Sequence, residues 1–111
     1  AIGTPACVQS VGSMLSMFIG AQAVRDIEEA AACDRGAFAV FFHAMLEQGV
    51  HLPPSGFESW FLSLAHDQRV IDRILAAAEE AFSGLARATE EAEVRPLNSA
   101  AAFSPIGGRP R

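Results

Sequence analysis

The sequence predicts an α+β fold, in which a small antiparallel or mixed sheet is covered by helices. Two segments carry one apolar face each at helical spacing, and shorter apolar segments precede and separate them. The chain has 111 residues, of which 50% are hydrophobic. That content fills a single modest core and argues against global disorder.

The N-terminal third predicts strands followed by a connection. Residues 8–19 are β-branched, small or apolar, which is typical of one or two strands with a kink or close approach at Gly12. Residues 20–32 combine mixed charge with many alanines. We expect a connection there that contains a short helical turn.

The first long helix is predicted over residues 35–48. Asp34 is a candidate N-cap, and Gly49 occupies the position of a C′ glycine. Five apolar residues recur at helical spacing and predict the buried face: Phe38, Phe41, Phe42, Met45 and Leu46.

Two short extended segments follow. Residues 50–52 are predicted as the first and end at Pro53 and Pro54, since a proline biases the residue before it away from helix. Residues 60–64 are predicted as a second short strand, bounded by polar residues.

A second amphipathic helix begins after Asp67, a predicted N-cap. Its predicted buried face is Val70, Ile71, Ile74, Leu75, Ala78 and Phe82. Ser83 and Gly84 are expected to close it, with a prolongation through residues 85–92 as the alternative. Residues 93–111 contain three prolines and no amphipathic period, which predicts a flexible tail.

Charge and hydropathy exclude two classes of partner. The net charge is −5, and the chain has no basic stripe of the kind that nucleic-acid binding needs. No apolar run approaches the roughly 18 residues of a membrane helix. We therefore expect neither a nucleic-acid partner nor a membrane partner.

The cysteines and histidines predict no metal site. Cys7 and Cys33 form neither a CxxC pair nor a disulfide framework, which favours reduced thiols and a cytoplasmic location over a bridge. His43, His51 and His66 lack the close spacing of metal ligands.

The segment from His51 to His66 holds the candidate site. Its two prolines fix a loop, and Ser55 and Glu58 follow among aromatic residues. A carboxylate in that position faces either solvent or a dry pocket, where it would need a cation or hydrogen-bond donors. An exposed glutamate at an edge strand is the alternative.

This segment, HLPPSGFESWFLSLAHDQRVIDRILAAAEEAF, resembles the C-terminal end of the glutamate-1-semialdehyde 2,1-aminomutases. These are class III, fold-type I enzymes that use pyridoxal 5′-phosphate. The upstream segments VGSMLSMFIG and AVRDIEEAAACDRGAFAVFFHAMLEQGV extend the resemblance over residues 8–83. Arg35-Gly36 departs from it, because the family usually has Thr-Glu there, and Gly56 stands where Gln is common.

The resemblance implies a domain organisation and a set of partners. Residues 1–84 would be the C-terminal small domain, and residues 85–111 a helix extension and flexible tail. A large cofactor domain would lie upstream, in a homodimer of full-length chains. The substrate would be a small amino aldehyde, glutamate 1-semialdehyde, which becomes the tetrapyrrole precursor 5-aminolevulinate.

The resemblance also implies the site residues. Glu58 would be catalytic, and Ser55 and Glu58 would bind the substrate. The chain contains no lysine, so it cannot supply the Schiff base that holds the cofactor. We therefore predict that the isolated chain holds no cofactor and is inactive.

Two other functions stay open. The chain would also suit another class III aminotransferase, although many of these carry an arginine in the C-terminal domain for a substrate carboxylate, and residues 53–58 contain none. The second is a stand-alone, non-catalytic remnant that acts as an interaction module.

Overall fold

Three antiparallel strands and three helices form the described part of the chain. The computed structural model describes the backbone of residues 5–101 and the side chains of residues 5–91. The elements are β1 (Ala6–Val11), β2 (Met14–Ile19), α1 (Ile27–Ala31), α2 (Arg35–Glu47), β3 (Trp60–Phe61) and α3 (Gln68–Ala101). The sheet order is β1-β2-β3. The predicted α+β class is confirmed.

The predicted kink at Gly12 is a hairpin turn. Strands β1 and β2 pair from Ala6 opposite Ile19 to Val11 opposite Met14, which leaves a loop of Gly12 and Ser13. Gly12 has φ +59° and no non-glycine residue in the described part has a positive φ. A glycine with positive φ at the first of two loop positions is the pattern of a type II′ turn, whose twist matches that of the strands.

A glutamine side chain ties the connection after β2 to the sheet. The Gln9 side chain donates from Nε2 to the Val24 carbonyl at 2.8 Å and accepts at Oε1 from the Val24 N–H at 2.7 Å. The connection then enters α1, which is the short helical turn predicted within residues 20–32.

Both predicted ends of α2 are confirmed. Asp34 Oδ1 accepts from the N–H of Ala37 at 2.9 Å and caps the helix. Gly49 has φ +82° and follows the C-cap, Gln48. Its N–H donates to a carbonyl in the last turn of the helix, which a left-handed C′ residue makes possible.

Helix α2 packs against both β2 and α3, and the core lies along these two contacts. The ring centroids of Phe41 and Phe82 are 4.7 Å apart, and Gln48 Nε2 donates to the Ala77 carbonyl at 3.0 Å. The buried cluster consists of Met17, Ile19, Phe38, Phe41, Met45, Leu52, Ala77, Ala81 and Leu85.

Three residues that the sequence assigned to buried helix faces are exposed, namely Leu46 on α2 and Val70 and Leu75 on α3. The side of α3 that faces α2 contains Ala77 and Ala81, whose small side chains let the two helices approach closely. In this orientation Leu75 points outward. The apolar period therefore predicted an apolar side of the helix but not which of its residues lie against α2.

The two predicted extended segments are shorter than expected. Residues 50–52 form no strand, although Leu52 is buried. Pro53 and Pro54 follow and have no N–H to donate to a strand ladder. The strand predicted over residues 60–64 contains only Trp60 and Phe61. Phe61 pairs with Met14, the first residue of β2, and the N–H of Leu62 already donates to the Ser13 carbonyl in the hairpin turn, so no strand partner remains.

Helix α3 begins as predicted and ends later. Asp67 Oδ1 accepts from the N–H of Val70 at 3.0 Å and caps it. The expected stop at Ser83 and Gly84 is wrong, because Gly84 is helical rather than left-handed, and the alternative prolongation through residues 85–92 is confirmed. The tail predicted from residue 93 is wrong for residues 93–101, which are helical, and residues 102–111 lie outside the described part.

None of the helices in the described part is both long enough and apolar enough to cross a membrane.

Two alanine substitutions at glycines should have opposite effects on stability. Gly12→Ala should lower the free energy of unfolding by about 1–2 kcal/mol, since an L-residue at positive φ crowds its own carbonyl. Gly84→Ala should raise it by about 0.5–1 kcal/mol, because α3 gains a better helix former and its new Cβ meets no atom within 4 Å. Urea denaturation of both variants measures the difference. A stabilising Gly12→Ala would contradict the type II′ turn.

Candidate functional site

The loop that carries the candidate residues is fixed at both ends and folded around Ser55. Leu52 is buried before it, and Trp60 packs against the core after it. The Ser55 carbonyl accepts from the N–H of Glu58 at 3.1 Å, and Ser55 Oγ accepts from the N–H of Phe57 at 3.2 Å. Both bonds hold residues 55–58 in a tight turn.

The turn forms one wall of a pocket of about 250 Å³. Ser55 and Phe57 line it from the loop, Phe18 from β2, and Phe38 from α2. The lining is mostly apolar, with the Ser55 hydroxyl as a polar group on the loop side. Small-molecule sites are mostly apolar clefts of about 300–1,000 Å³, so this pocket lies just below their usual size.

Glu58 lies outside this pocket. It is exposed, directly before β3, and within residues 5–91 its carboxylate has no hydrogen bond or ion pair. The structure therefore places Ser55, but not Glu58, in the pocket wall. The Glu58 carboxylate faces solvent and is free to contact a group that is not part of the described chain.

Arg35 is a site residue that the sequence did not reveal. Its guanidinium carbon lies 5.2 Å from the centroid of the Phe57 ring, within the range of a cation–π interaction, and Arg35 also lines the pocket. It follows the N-cap of α2, 22 residues before Phe57 in sequence. No spacing rule links the two positions, and the departure from the family's Thr was the one available signal.

Cys33 is a half-buried free thiol in the same pocket. Its Sγ donates to the Glu29 carbonyl at 3.4 Å. Burial first, then the nearby Cys7 thiol and the Glu29 carboxylate, raise the pKa of Cys33. A raised pKa keeps this thiol protonated and reduces its nucleophilicity.

The histidines have local structural contacts. The Phe42 ring centroid is 5.3 Å from that of His43 and 6.2 Å from that of His51. His66 Nδ1 accepts from the Ser63 N–H at 3.0 Å. Across the part of the chain that the structure describes, no three His, Cys, Asp or Glu side chains come together as metal ligands could.

Removing the cation at position 35 should loosen the loop. Arg35→Met keeps the chain length but not the charge, so the Phe57 and Glu58 amides should exchange about two- to fivefold faster, as 0.5–1 kcal/mol of cation–π energy implies. Hydrogen exchange by NMR measures this. Arg35→Lys, which keeps a cation, should accelerate the exchange of these amides less. Arg69→Met, which removes an arginine of α3, is the control and should leave their exchange unchanged. Unchanged exchange in Arg35→Met would contradict the restraint.

Cys33 should react slowly with alkylating agents. Iodoacetamide at pH 8 should modify Cys33 more slowly in the folded chain than in urea, because the folded state keeps less of it as thiolate, and peptide mass spectrometry distinguishes Cys33 from Cys7. Since its folded pKa is raised, Cys33 stabilises the fold below its unfolded pKa, and that contribution is lost as the pH rises towards the folded value. Equal rates in both states would contradict the raised pKa.

A comparison with known proteins agrees with the sequence resemblance. Over 85 residues, the chain is 52% identical to the glutamate-1-semialdehyde 2,1-aminomutase of Thermomicrobium roseum. The match covers 77% of this chain and 20% of the relative, so the chain spans about a fifth of the protein it matches. No family model matches the chain. The resemblance of this chain to the glutamate-1-semialdehyde 2,1-aminomutases is therefore confirmed.

Proposed function

We propose that this chain is the C-terminal part of a glutamate-1-semialdehyde 2,1-aminomutase. That enzyme is an isomerase that moves an amino group within one substrate and yields 5-aminolevulinate for tetrapyrrole biosynthesis. The observation that carries the proposal is the 52% identity over 85 residues to a relative of that name. Because these residues are 20% of the relative, the longer polypeptide would supply the rest of the enzyme.

The residues of this chain do not fit the anchoring of pyridoxal 5′-phosphate. The cofactor needs a lysine amine for its Schiff base, and the chain has no lysine. The large domain upstream would hold the cofactor. The full-length protein would be a homodimer in the cytoplasm. On this proposal the isolated chain is inactive and contributes groups that act on the substrate only.

Glu58 is the group best suited to act on the substrate. Its carboxylate is exposed and unpaired within residues 5–91, while its backbone is held by Ser55. A carboxylate presented in this way can accept charge-assisted hydrogen bonds from the amino groups of an amino aldehyde. Ser55 stands in the adjacent pocket wall, where its hydroxyl can orient the substrate.

One observation favours a second candidate, another class III aminotransferase. Residues 53–58 contain no arginine, but Arg35 stacks on Phe57 in that loop. A guanidinium at the pocket can bind a substrate carboxylate. An amino donor distinguishes the two reactions, since an aminotransferase needs one and an aminomutase does not.

The first experiment measures the intact mass of the polypeptide that carries this chain and assays it with glutamate 1-semialdehyde. We expect a mass several-fold above 11.7 kDa and formation of 5-aminolevulinate without an amino donor. A mass near 11.7 kDa, or turnover only with an amino donor, would contradict the proposal.

Glu58→Gln in that longer polypeptide should lower kcat/KM by roughly 10- to 100-fold, the cost of losing a charged hydrogen-bond partner. Steady-state kinetics measure it. Glu47→Gln, which removes an exposed carboxylate of α2, should leave kcat/KM unchanged and is the matched control. Equal kcat/KM values for the two variants would contradict the proposal that Glu58 acts on the substrate.

A further inference from the structure

A cation–π contact joins the first residue of α2 to the candidate loop. The guanidinium carbon of Arg35 lies 5.2 Å from the centroid of the Phe57 ring. Phe57 directly precedes Glu58 in sequence and is 48% exposed. Because half of Phe57 is exposed, packing holds its ring only in part, and the cation over its face adds a second restraint.

The backbone of Arg35 is itself fixed by the residue before it. The Asp34 N–H donates to the Ile19 carbonyl at the end of β2 at 2.8 Å, and Asp34 Oδ1 accepts from the N–H of Ala37 at 2.9 Å. The carboxylate next to Arg35 in sequence thus caps the helix. Within residues 5–91 the Arg35 guanidinium forms no ion pair or hydrogen bond, so its contact with the Phe57 ring has no competitor there.

Glu58 lies between two anchored neighbours. On one side, Ser55 accepts from the N–H groups of both Phe57 and Glu58. On the other side, Ser59 Oγ shares a hydrogen bond of 3.4 Å with Ser16 Oγ of β2. The Ser55 bonds hold the backbone of residues 57 and 58 but not the ring of Phe57. A restraint on that ring completes the anchoring on this side.

The direction of the Glu58 carboxylate follows from the backbone around it. A carboxylate acts on a substrate amine through charge-assisted hydrogen bonds, which need a defined distance and angle. If the loop moved more, the carboxylate would keep its charge but spend less time in that geometry, and the reaction would slow.

We infer that Arg35 is a positioning residue for Glu58 and that it acts through the ring of Phe57. The inference rests on the part of the proposed function in which Glu58 acts on the substrate. Arg35 itself needs no contact with the substrate. Cation–π contacts at exposed sites are weak, so loss of the cation should lower kcat/KM only about two- to fivefold, less than loss of the Glu58 charge.

A double-mutant cycle in the longer polypeptide tests the route through the ring. Arg35→Met should lower kcat/KM about two- to fivefold, and Arg35→Lys, which keeps a cation, should lower it less. Phe57→Leu removes the aromatic face and should lower kcat/KM by at least the same factor. In the Phe57→Leu background, Arg35→Met should have no further effect. A further two- to fivefold loss there would overturn the inference, since Arg35 would then act directly on the substrate or on Glu58.

A second cycle tests whether the effect reaches the carboxylate. When Glu58→Gln has removed the charge, the orientation of this side chain matters less, so Arg35→Met should have little further effect on kcat/KM. Arg69→Met, which removes an exposed arginine of α3, should leave kcat/KM unchanged in both backgrounds and is the control. An equal fold loss from Arg35→Met with and without the Glu58 charge would overturn the inference, because a general loosening of the protein has that result.

Hydrogen exchange of the loop is independent of turnover, so the two proposals fail separately. In the longer polypeptide, the Glu58 amide should exchange about two- to fivefold faster in Arg35→Met, and not in the Phe57→Leu background. This coupling in a protein that forms no 5-aminolevulinate would overturn the proposed function and leave only the restraint on the loop. An active enzyme without coupling in either cycle would overturn the inference and leave the proposed function.

Discussion

The packing of α2 between β2 and α3 is the constraint on which the rest of the described structure depends. Phe41 and Met45 are almost fully buried along this helix, and Phe41 stacks against Phe82 of α3. Helix α2 buries the face of the sheet that carries Met17 and Ile19. Burial of this kind is the main favourable contribution to folding. Because the helix ends at Glu47 and Gly49 has a positive φ, the chain turns there and the candidate loop begins at a defined place.

The same core determines the position of the candidate loop. Leu52 and Trp60 hold its ends, so the turn around Ser55 is short and its conformation is restrained. Arg35, at the start of α2, reaches the loop through the ring of Phe57. The first residue of the central helix thus contacts the segment that carries Glu58. A change in the position of α2 would be transmitted to both the pocket and the loop.

Local features of this fold could be predicted from the sequence, and features that need a partner could not. Asp34, Gly49 and Asp67 mark helix ends because their preferences act within one turn of the chain. Leu46 and Leu75 were misassigned because a period locates an apolar face without saying which neighbour covers it. The contact of Arg35 with Phe57 joins residues far apart in sequence, and nothing local encodes it. For the candidate site, the sequence predicted a fixed loop that carries Ser55 and Glu58, but it predicted neither the pocket beside this loop nor the contribution of Arg35 to it.

The paired hydrogen bonds of Gln9 to Val24 make that position specific for a primary amide. The amide both donates and accepts, as a peptide group does, and so substitutes for a missing strand partner at the connection. Hydrolysis to glutamate would keep the shape and the acceptor but replace the donor with an oxygen that faces the Val24 carbonyl. Such a chemically aged chain would keep its hairpin but lose one of the two hydrogen bonds that attach the segment leading to α1. A one-dalton modification would thereby weaken the hold of the sheet on the connection that borders the pocket.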